Sequence, residues 1–355
     1  MKKIVSMMLV LSMVLGITAC SSDPAETSQS TSTQPSQSTA PSGGEDGIIR
    51  VTDGEPLSLT VAVHSGGEVM EAKSMKYMAE ILEERSGGNV TPEVFTDGLL
   101  GNESDILEQV ELNTVQIATT GFAGLDKYIS SVNCWSVPYL FPDVEAVKAS
   151  LEGPIGDAAR AKFEEKGIIY VGNLFRGNRQ LTSTKKVETP EDLKGLKLRL
   201  PDTAAWVTVW EAMGAITSPI ASSEVFSALQ TGVVDGQENP ISSCYAKALW
   251  EVQDYIIMTN HIVDFLVLTA SKDFYDSLSD DYKALFDQCM QESMDWNYEQ
   301  TLATEESLLA EMVDKGMEVV EVDTALFAEV AQPGFEKVAE NWEDWVLEAA
   351  LEYAK

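Results

Sequence analysis

The apolar positions of this chain switch between a two-residue period and a helical period from residue 57 onward. Residues 57–64 alternate apolar and polar side chains and are rich in β-branched ones, which predicts a strand. Residues 71–85 have helical spacing, and the Gly87-Gly88 pair predicts where that helix ends. The alternation then repeats, with a strand at 90–95, a helix at 102–112 and a strand at 115–119. Strands that alternate with helices predict parallel pairing in an α/β lobe.

A short strand at residues 196–200 gives a specific side-chain prediction. Three leucines, at 196, 198 and 200, share one face, so Lys197 and Arg199 take the other. Pro201 ends the strand. Arg199 is therefore predicted at the carboxyl end of a strand, which is where open α/β sheets bind their ligands.

The rest of the chain predicts further strands and helices without an internal repeat. The predicted strands are 168–172, a short one within 232–239, and 262–270, and the predicted helices are 204–213, 222–230, 245–252, 280–315 and about 335–353.

The N-terminal segment has the order of features found in bacterial lipoprotein signals. Lys2 and Lys3 precede an apolar stretch over residues 4–17, and Ile17-Thr18-Ala19-Cys20 follows, which resembles a lipobox. We expect residues 1–19 to be a signal peptide and Cys20 to carry the lipid; the alternative is a plain secretory signal with an incidental cysteine. Residues 20–46 are rich in Ser, Thr, Gln, Pro and Gly and predict a flexible tether.

The net charge of the chain limits which kinds of partner it can bind. The chain has 355 residues with 57 acidic and 24 basic side chains, a formal net charge of -33, which argues against nucleic acid and against docking on anionic lipid. Only six arginines occur, and three of them, Arg176, Arg179 and Arg199, lie within 24 residues of one another. Guanidinium is planar and always charged, so it can donate two parallel hydrogen bonds to a carboxylate.

The cysteines and histidines predict neither a metal site nor a catalytic one. Cys134, Cys244 and Cys289 lack zinc-site spacing and are interpreted as small core residues, with one disulfide possible. His64 and His261 are the two histidines, and no nucleophile-elbow or H-E-x-x-H motif occurs. We therefore expect no cofactor, no metal and no enzymatic activity.

Four segments resemble the solute-binding subunits of tripartite ATP-independent periplasmic (TRAP) transporters, the DctP family. They are LGNESDILEQV at 100–110, LKGLKLRLPD at 193–202, SEVFSALQTGVVDGQENP at 223–240 and TNH at 259–261. The resemblance implies an α/β, two-lobed periplasmic-binding-protein-like fold, with a ligand cleft between the lobes and a long C-terminal helix spanning them. Lobe I would comprise residues 47–176 plus about 265–304, and lobe II residues 177–264 plus about 305–355.

The resemblance also implies roles for three residues. In the family, the arginine of the K-x-R-x-P strand clamps the ligand carboxylate, and here that residue is Arg199. A second arginine matches Arg179, and the asparagine of GQENP, which donates an amide hydrogen bond, matches Asn239. The local sequence pattern also points to Arg199 and Asn239 as ligand contacts. It does not distinguish Arg179 from Arg176 as the second arginine. The alternatives are a surface charge for Arg199, a turn residue for Asn239 and a structural role for Arg179. In an open form, Arg199 would sit in a hydrated cleft.

Five further positions are predicted to line the cleft. His64 ends the first strand, Phe122 follows the strand at 115–119, and Trp206 lies on the helix after Arg199, with core packing as the alternative for His64 and Trp206. Ser222 stands where the family commonly has an aromatic residue, and Phe265 stands where several relatives are polar or have tyrosine. Both departures fall in expected pocket walls, so ligand identity does not transfer.

These features predict an extracytoplasmic binding protein. It would capture a small organic acid or sugar acid, close around it, and deliver it to membrane permease subunits while a lipid anchor holds it at the membrane. A ligand sensor for a membrane receptor kinase and an extracytoplasmic enzyme are the alternatives.

Overall fold

Ten strands form one continuous hydrogen-bonded sheet system within residues 46–355, the part of the chain that the computed structural model describes. The predicted signal peptide and Cys20 lie outside these residues. The strands are β1 (Leu57–Val63), β2 (Val90–Phe95), β3 (Ile117–Gly121), β4 (Ile168–Ser183), β5 (Lys197–Leu200), β6 (Ile216–Pro219), β7 (Gly236–Pro240), β8 (Tyr255–Met258), β9 (Val263–Ser271) and β10 (Glu318–Glu321).

The strand order separates a first and a second sheet that share β4. The first sheet runs β2-β1-β3-β9-β4, and the path continues through β7, β5 and β6 in the second, with β8 and β10 beside β4. Strands β1, β2 and β3 pair in parallel, as the alternating pattern predicted. β5 likewise pairs in parallel with β6 and β7, whereas β9 and β4 run antiparallel to their neighbours.

β4 is much longer than the predicted strand at 168–172. It pairs with β9 over residues 168–178 and with β7 and β8 over residues 179–183. Its register with β9 shifts twice, and Gly177 lies at the second shift with a φ of +88°. The hydrophobic pattern did not predict the rest of this strand, because its polar side chains are buried among polar partners instead of facing solvent.

Helices cover both sheets. They are α1 (Met70–Arg85), α2 (Glu103–Glu111), α3 (Asp126–Ile129), α4 (Val144–Glu152), α5 (Pro154–Glu164), α6 (Ala204–Ala212), α7 (Val225–Gln230), α8 (Ile241–Ala246), α9 (Lys272–Ser277), α10 (Asp280–Asp314), α11 (Thr324–Ala339) and α12 (Asp344–Tyr353). None of the described helices is long and apolar enough to cross a membrane.

The long helix α10 connects the half of the protein built on the first sheet with the half built on the second sheet. Its 35 residues extend roughly 50 Å, and they pack against α1 of the first half, along β4, and against α8 of the second. This confirms the predicted long helix. Its last turns differ in surroundings from its first: Cys289 lies in a cluster with α1, whereas Met312 lies in a cluster with α7 and α8.

The C-terminal region differs from its prediction. The single expected helix at about 335–353 is two helices, α11 and α12, separated by a break. α11 packs on α6 of the second half, but α12 packs on α4 and α5, which belong with the first. The assignment of residues 305–355 wholly to lobe II therefore does not describe α12. Cys134, Cys244 and Cys289 are buried and unbridged, as expected of core residues.

Candidate functional site

A cavity of about 680 Å³ opens where strands of both halves end. Its walls come from the ends of β1, β3, β5 and β7 and from the start of α2. Seven of the eight predicted cleft residues line it: His64, Phe122, Arg179, Arg199, Trp206, Ser222 and Asn239. A cavity of this size suits a small ligand.

Arg199 is a buried cation without an acidic partner. It lies on β5 between Leu198 and Leu200, which point into the core, and only 3% of its surface is exposed. Its Nε and Nη2 donate to the Ile220 carbonyl at 2.8 and 2.5 Å. No described carboxylate lies within 4.0 Å, and burial lowers the pKa of Arg199 to about 10. The hydrated position was expected for an open form, whereas in this structure the side chain is almost fully buried at the cavity wall.

Arg179, in contrast, is fully paired within the protein. Its Nε and Nη2 donate to Glu238 at 2.5 and 3.0 Å, and its Nη1 donates to Asp264 at 2.6 Å. Burial alone would raise the pKa of Glu238, but the charge of Arg179 holds it at about 2. His261 adds a 2.9 Å contact to the same carboxylate. These contacts favour the structural alternative for Arg179, although its side chain also borders the cavity.

Asn239 is oriented by this network. Its Oδ1 accepts from Arg179 Nη2 at 3.1 Å, and its Nδ2 donates to Gln237 Oε1 at 2.5 Å. An amide nitrogen carries two hydrogens, so one remains for a further acceptor. Asn239 lines the cavity, and its geometry suits the predicted role as a hydrogen-bond donor to a ligand.

Asp264 is a site residue that sequence analysis missed. Its Oδ2 accepts from both Arg176 and Arg179, at 2.8 and 2.6 Å. Successive strand residues point to opposite faces, so Phe265 turns away from the cavity. It packs against Phe175 at 5.1 Å and borders a separate hollow of about 580 Å³. The predicted position of Phe265 in the cleft is therefore corrected: its neighbour Asp264 occupies that wall.

Arg176 is the second paired guanidinium. Besides Asp264 it contacts Glu71 at 3.2 Å and donates to Ser243 Oγ at 2.8 Å. Glu71 belongs to α1 and Ser243 to α8, so Arg176 joins helices from the two halves. Its position identifies it as a structural partner of Arg179 rather than an unpaired cation.

Glu103 is the second residue that was missed. It begins α2, directly after the helix cap Asn102, within the LGNESD segment. Its Oε1 accepts the Gly121 N–H at 2.7 Å and lies 3.4 Å from His64 Nε2. An acidic residue in the first turn of a helix after an asparagine cap was a usable signal, but such residues usually serve the helix alone.

The remaining cleft residues have mixed surroundings. Phe122 stacks on Trp135 at 5.3 Å, and the Trp206 ring lies 4.6 Å from the guanidinium carbon of Arg179. The buried Trp206 Nε1 has no hydrogen-bond partner among the described residues, so the ring packs in the protein while its N–H stays available.

Ser222 is held by a lysine. Lys247 Nζ donates to the Ser222 carbonyl and Oγ at 3.2 and 3.0 Å, and burial lowers the pKa of Lys247 to about 8. The family commonly has an aromatic residue at the position of Ser222. The small serine side chain leaves room there for the ammonium group of Lys247. Among residues 46–355 no group of acidic, histidine or cysteine side chains could hold a metal ion.

Comparison with known proteins identifies the class and the family. Residues 62–341 match the family model described as bacterial extracellular solute-binding protein, family 7 (DctP). A solute-binding protein of Roseobacter denitrificans is 35% identical over 258 residues, 71% of this chain and 78% of the relative. This chain thus belongs to the DctP family of extracellular solute-binding proteins, the binding subunits of TRAP transporters.

Solved structures agree with the two-lobed fold. A TRAP periplasmic solute binding protein from Shewanella oneidensis with bound succinate matches with a TM-score of 0.80 at 27% identity, covering 84% of this chain and 100% of that one. One from Roseobacter denitrificans with bound L-galactonate matches with a TM-score of 0.78 at 28% identity, covering 85% and 99%. The family is one of binding proteins, which is the class that the sequence predicted.

Proposed function

We propose that this protein captures a small carboxylate at Arg199 outside the cytoplasm and delivers it to the membrane subunits of a TRAP transporter. The observation that carries the proposal is the buried guanidinium of Arg199, which borders the cleft without a described carboxylate beside it. A buried charge is costly unless it is paired, so an anionic ligand is the natural partner. The relatives solved with succinate and L-galactonate support the same chemistry.

The contacts suggest how a carboxylate is held. The Nε and Nη2 of Arg199 are occupied by the Ile220 carbonyl, and its Nη1 makes no hydrogen bond to a described residue. Nη1 and the spare amide hydrogen of Asn239 would therefore donate to the ligand, while the Arg179–Glu238 pair keeps Asn239 in place. Closure of the two halves would then exclude water and strengthen these bonds.

Ligand-induced stabilisation tests the proposal. The chain lacking residues 1–46 should melt at a higher temperature with at least one acid from a panel that includes succinate, L-galactonate and D-galacturonate. A ligand at about 100 times its Kd adds about 2.7 kcal/mol to the free energy of unfolding. Arg199→Met should abolish the shift. An unchanged melting temperature across organic acids and sugar acids would contradict the proposal.

A lipid anchor at Cys20 is part of the proposal. The order of basic residues, apolar stretch and Ala19-Cys20-Ser21 supports it, and the following Ser- and Thr-rich segment would serve as a tether. We expect the mature protein to partition into detergent and Cys20→Ala to remain in the aqueous phase. Partitioning of Cys20→Ala into detergent would show that something other than this cysteine anchors the protein.

A further inference from the structure

The cleft contains a negatively charged side chain, Glu103, as well as the positively charged Arg199. Glu103 comes from α2 of the first half, whereas Arg199 comes from β5 of the second, and both line the same cavity. The two charges are close enough for Glu103 to raise the pKa of Arg199, against the larger opposing effect of burial. The cleft therefore has a positive and a negative end.

The position of Glu103 is fixed by the backbone around it. A Cβ atom on Gly121 would lie 2.9 Å from Glu103 Oε1, and one on Gly124 would lie 2.8 Å from Glu103 Cβ. Two glycines thus leave the space that this side chain fills. The Gly121 N–H and His64 hold Oε1, and 20% of the side chain remains exposed to the cavity.

Little positive charge is left for a second ligand carboxylate. Arg176 and Arg179 are each paired with carboxylates, so Arg199 is the only arginine lining the cavity with no described carboxylate within 4.0 Å. Lys247 is the other cation nearby, but it lies behind Ser222, outside the cavity lining, and its Nζ donates to the Ser222 carbonyl and Oγ. Asp202 also lines the cavity and, like Glu103, has no described lysine or arginine within that distance. A ligand with two carboxylates would bring its second charge towards these acids.

We infer that Glu103 selects for a monocarboxylate whose other end carries hydroxyl or amino hydrogens, and that it rejects dicarboxylates. The inference rests on the proposed function, since Arg199 must hold the first carboxylate. A hydroxyl can donate to the Glu103 carboxylate, whereas a carboxylate in the same place repels it in a site with little water.

Matched ligand pairs test the inference by titration calorimetry at pH 7.5. The first pair is 4-hydroxybutanoate and succinate, and the second pair is galactonate and galactarate. The two members of each pair differ only at the terminal carbon, which is an alcohol in the first member and a carboxylate in the second. We expect the hydroxy acid to bind at least about tenfold tighter in every pair that binds. Glu103→Gln keeps the shape and the acceptor for the Gly121 N–H, and should reduce the preference to about threefold or less.

Glu108→Gln is the matched control, because it makes the same change on the same helix at a surface residue paired with Lys127. It should keep the wild-type preference, and melting curves should show that both variants are folded. Equal or tighter binding of the dicarboxylate by the wild type would overturn the inference, as would an unchanged preference in folded Glu103→Gln. Binding of none of the four acids would also overturn the inference, whereas the carboxylate-binding proposal itself fails only if the wider panel of organic acids and sugar acids leaves the melting temperature unchanged.

Discussion

Arg199→Lys is expected to weaken carboxylate binding at least about tenfold, equivalent to ~1.4 kcal/mol. Arg199 donates to the Ile220 carbonyl from Nε and Nη2, which leaves Nη1 of the same planar group for the proposed ligand. Lysine keeps the positive charge but lacks this planar arrangement of donors. Titration calorimetry on wild type and variant measures the difference. Arg50→Lys, at an exposed arginine paired with Asp46, is the control and should bind like the wild type.

Arg199→Met should remove binding and also stabilise the ligand-free protein. Burial lowers the pKa of Arg199 to about 10, well below its ordinary value, which corresponds to a cost on the order of 3 kcal/mol for holding the charge. Because the folded pKa is the lower one, this cost is fully present at every pH below about 10, including neutral pH. Losing the hydrogen bonds to Ile220 offsets part of the gain, so we expect a net increase of about 1–2 kcal/mol in the free energy of unfolding.

Two results would contradict this explanation of Arg199. Equal affinity of wild type and Arg199→Lys would show that the geometry of the guanidinium is not used. A large loss of stability in ligand-free Arg199→Met would show that Arg199 is a structural residue, and the proposed function would lose its main support.

Arg179→Met is expected to lower the free energy of unfolding by about 3–5 kcal/mol, because it leaves the Glu238 carboxylate buried without its main partner. The effect should depend on pH. The pKa of Glu238 is about 2 in the folded protein against an ordinary 4.5, so its contribution to stability is complete above pH 4.5 and is lost as the pH falls towards 2. Urea unfolding of the variant and the wild type at pH 7 and pH 4 measures both effects.

The double variant Arg179→Met/Glu238→Leu separates an unpaired charge from simple loss of packing. Removing both partners should recover much of the stability, since no carboxylate then stays buried alone. Lys185→Met is the control at an exposed ion pair with Asp235 and should change the free energy of unfolding by less than about 1 kcal/mol. A similarly small effect of Arg179→Met would mean that water or neighbouring groups compensate Glu238.

The predictable parts of this fold are those that follow a period. The alternating leucines of β5 located Arg199, and the helix and strand periods between residues 57 and 119 gave the parallel strands of the first sheet. The extension of β4 was missed, since its later residues pair with polar groups from distant parts of the chain.

Site residues were predictable only where the chemistry showed in the local pattern. Glu103 has the sequence features of an ordinary helix start, and its role depends on Gly121 and His64, which only the tertiary structure brings to it. Asp264 and Phe265 are adjacent, and choosing which one faces the cleft required the register of β9 against β4. Long-range pairing, rather than composition, decides such cases.

The sharing of β4 between the two sheets limits how the chain can be divided. Its first residues complete one sheet and its last residues belong to the other, without a loop between them. A break at residue 177 would leave each fragment with a truncated strand and exposed edge hydrogen-bonding groups. We therefore expect neither half to fold alone, and we expect an insertion within β4 to disturb both sheets at once.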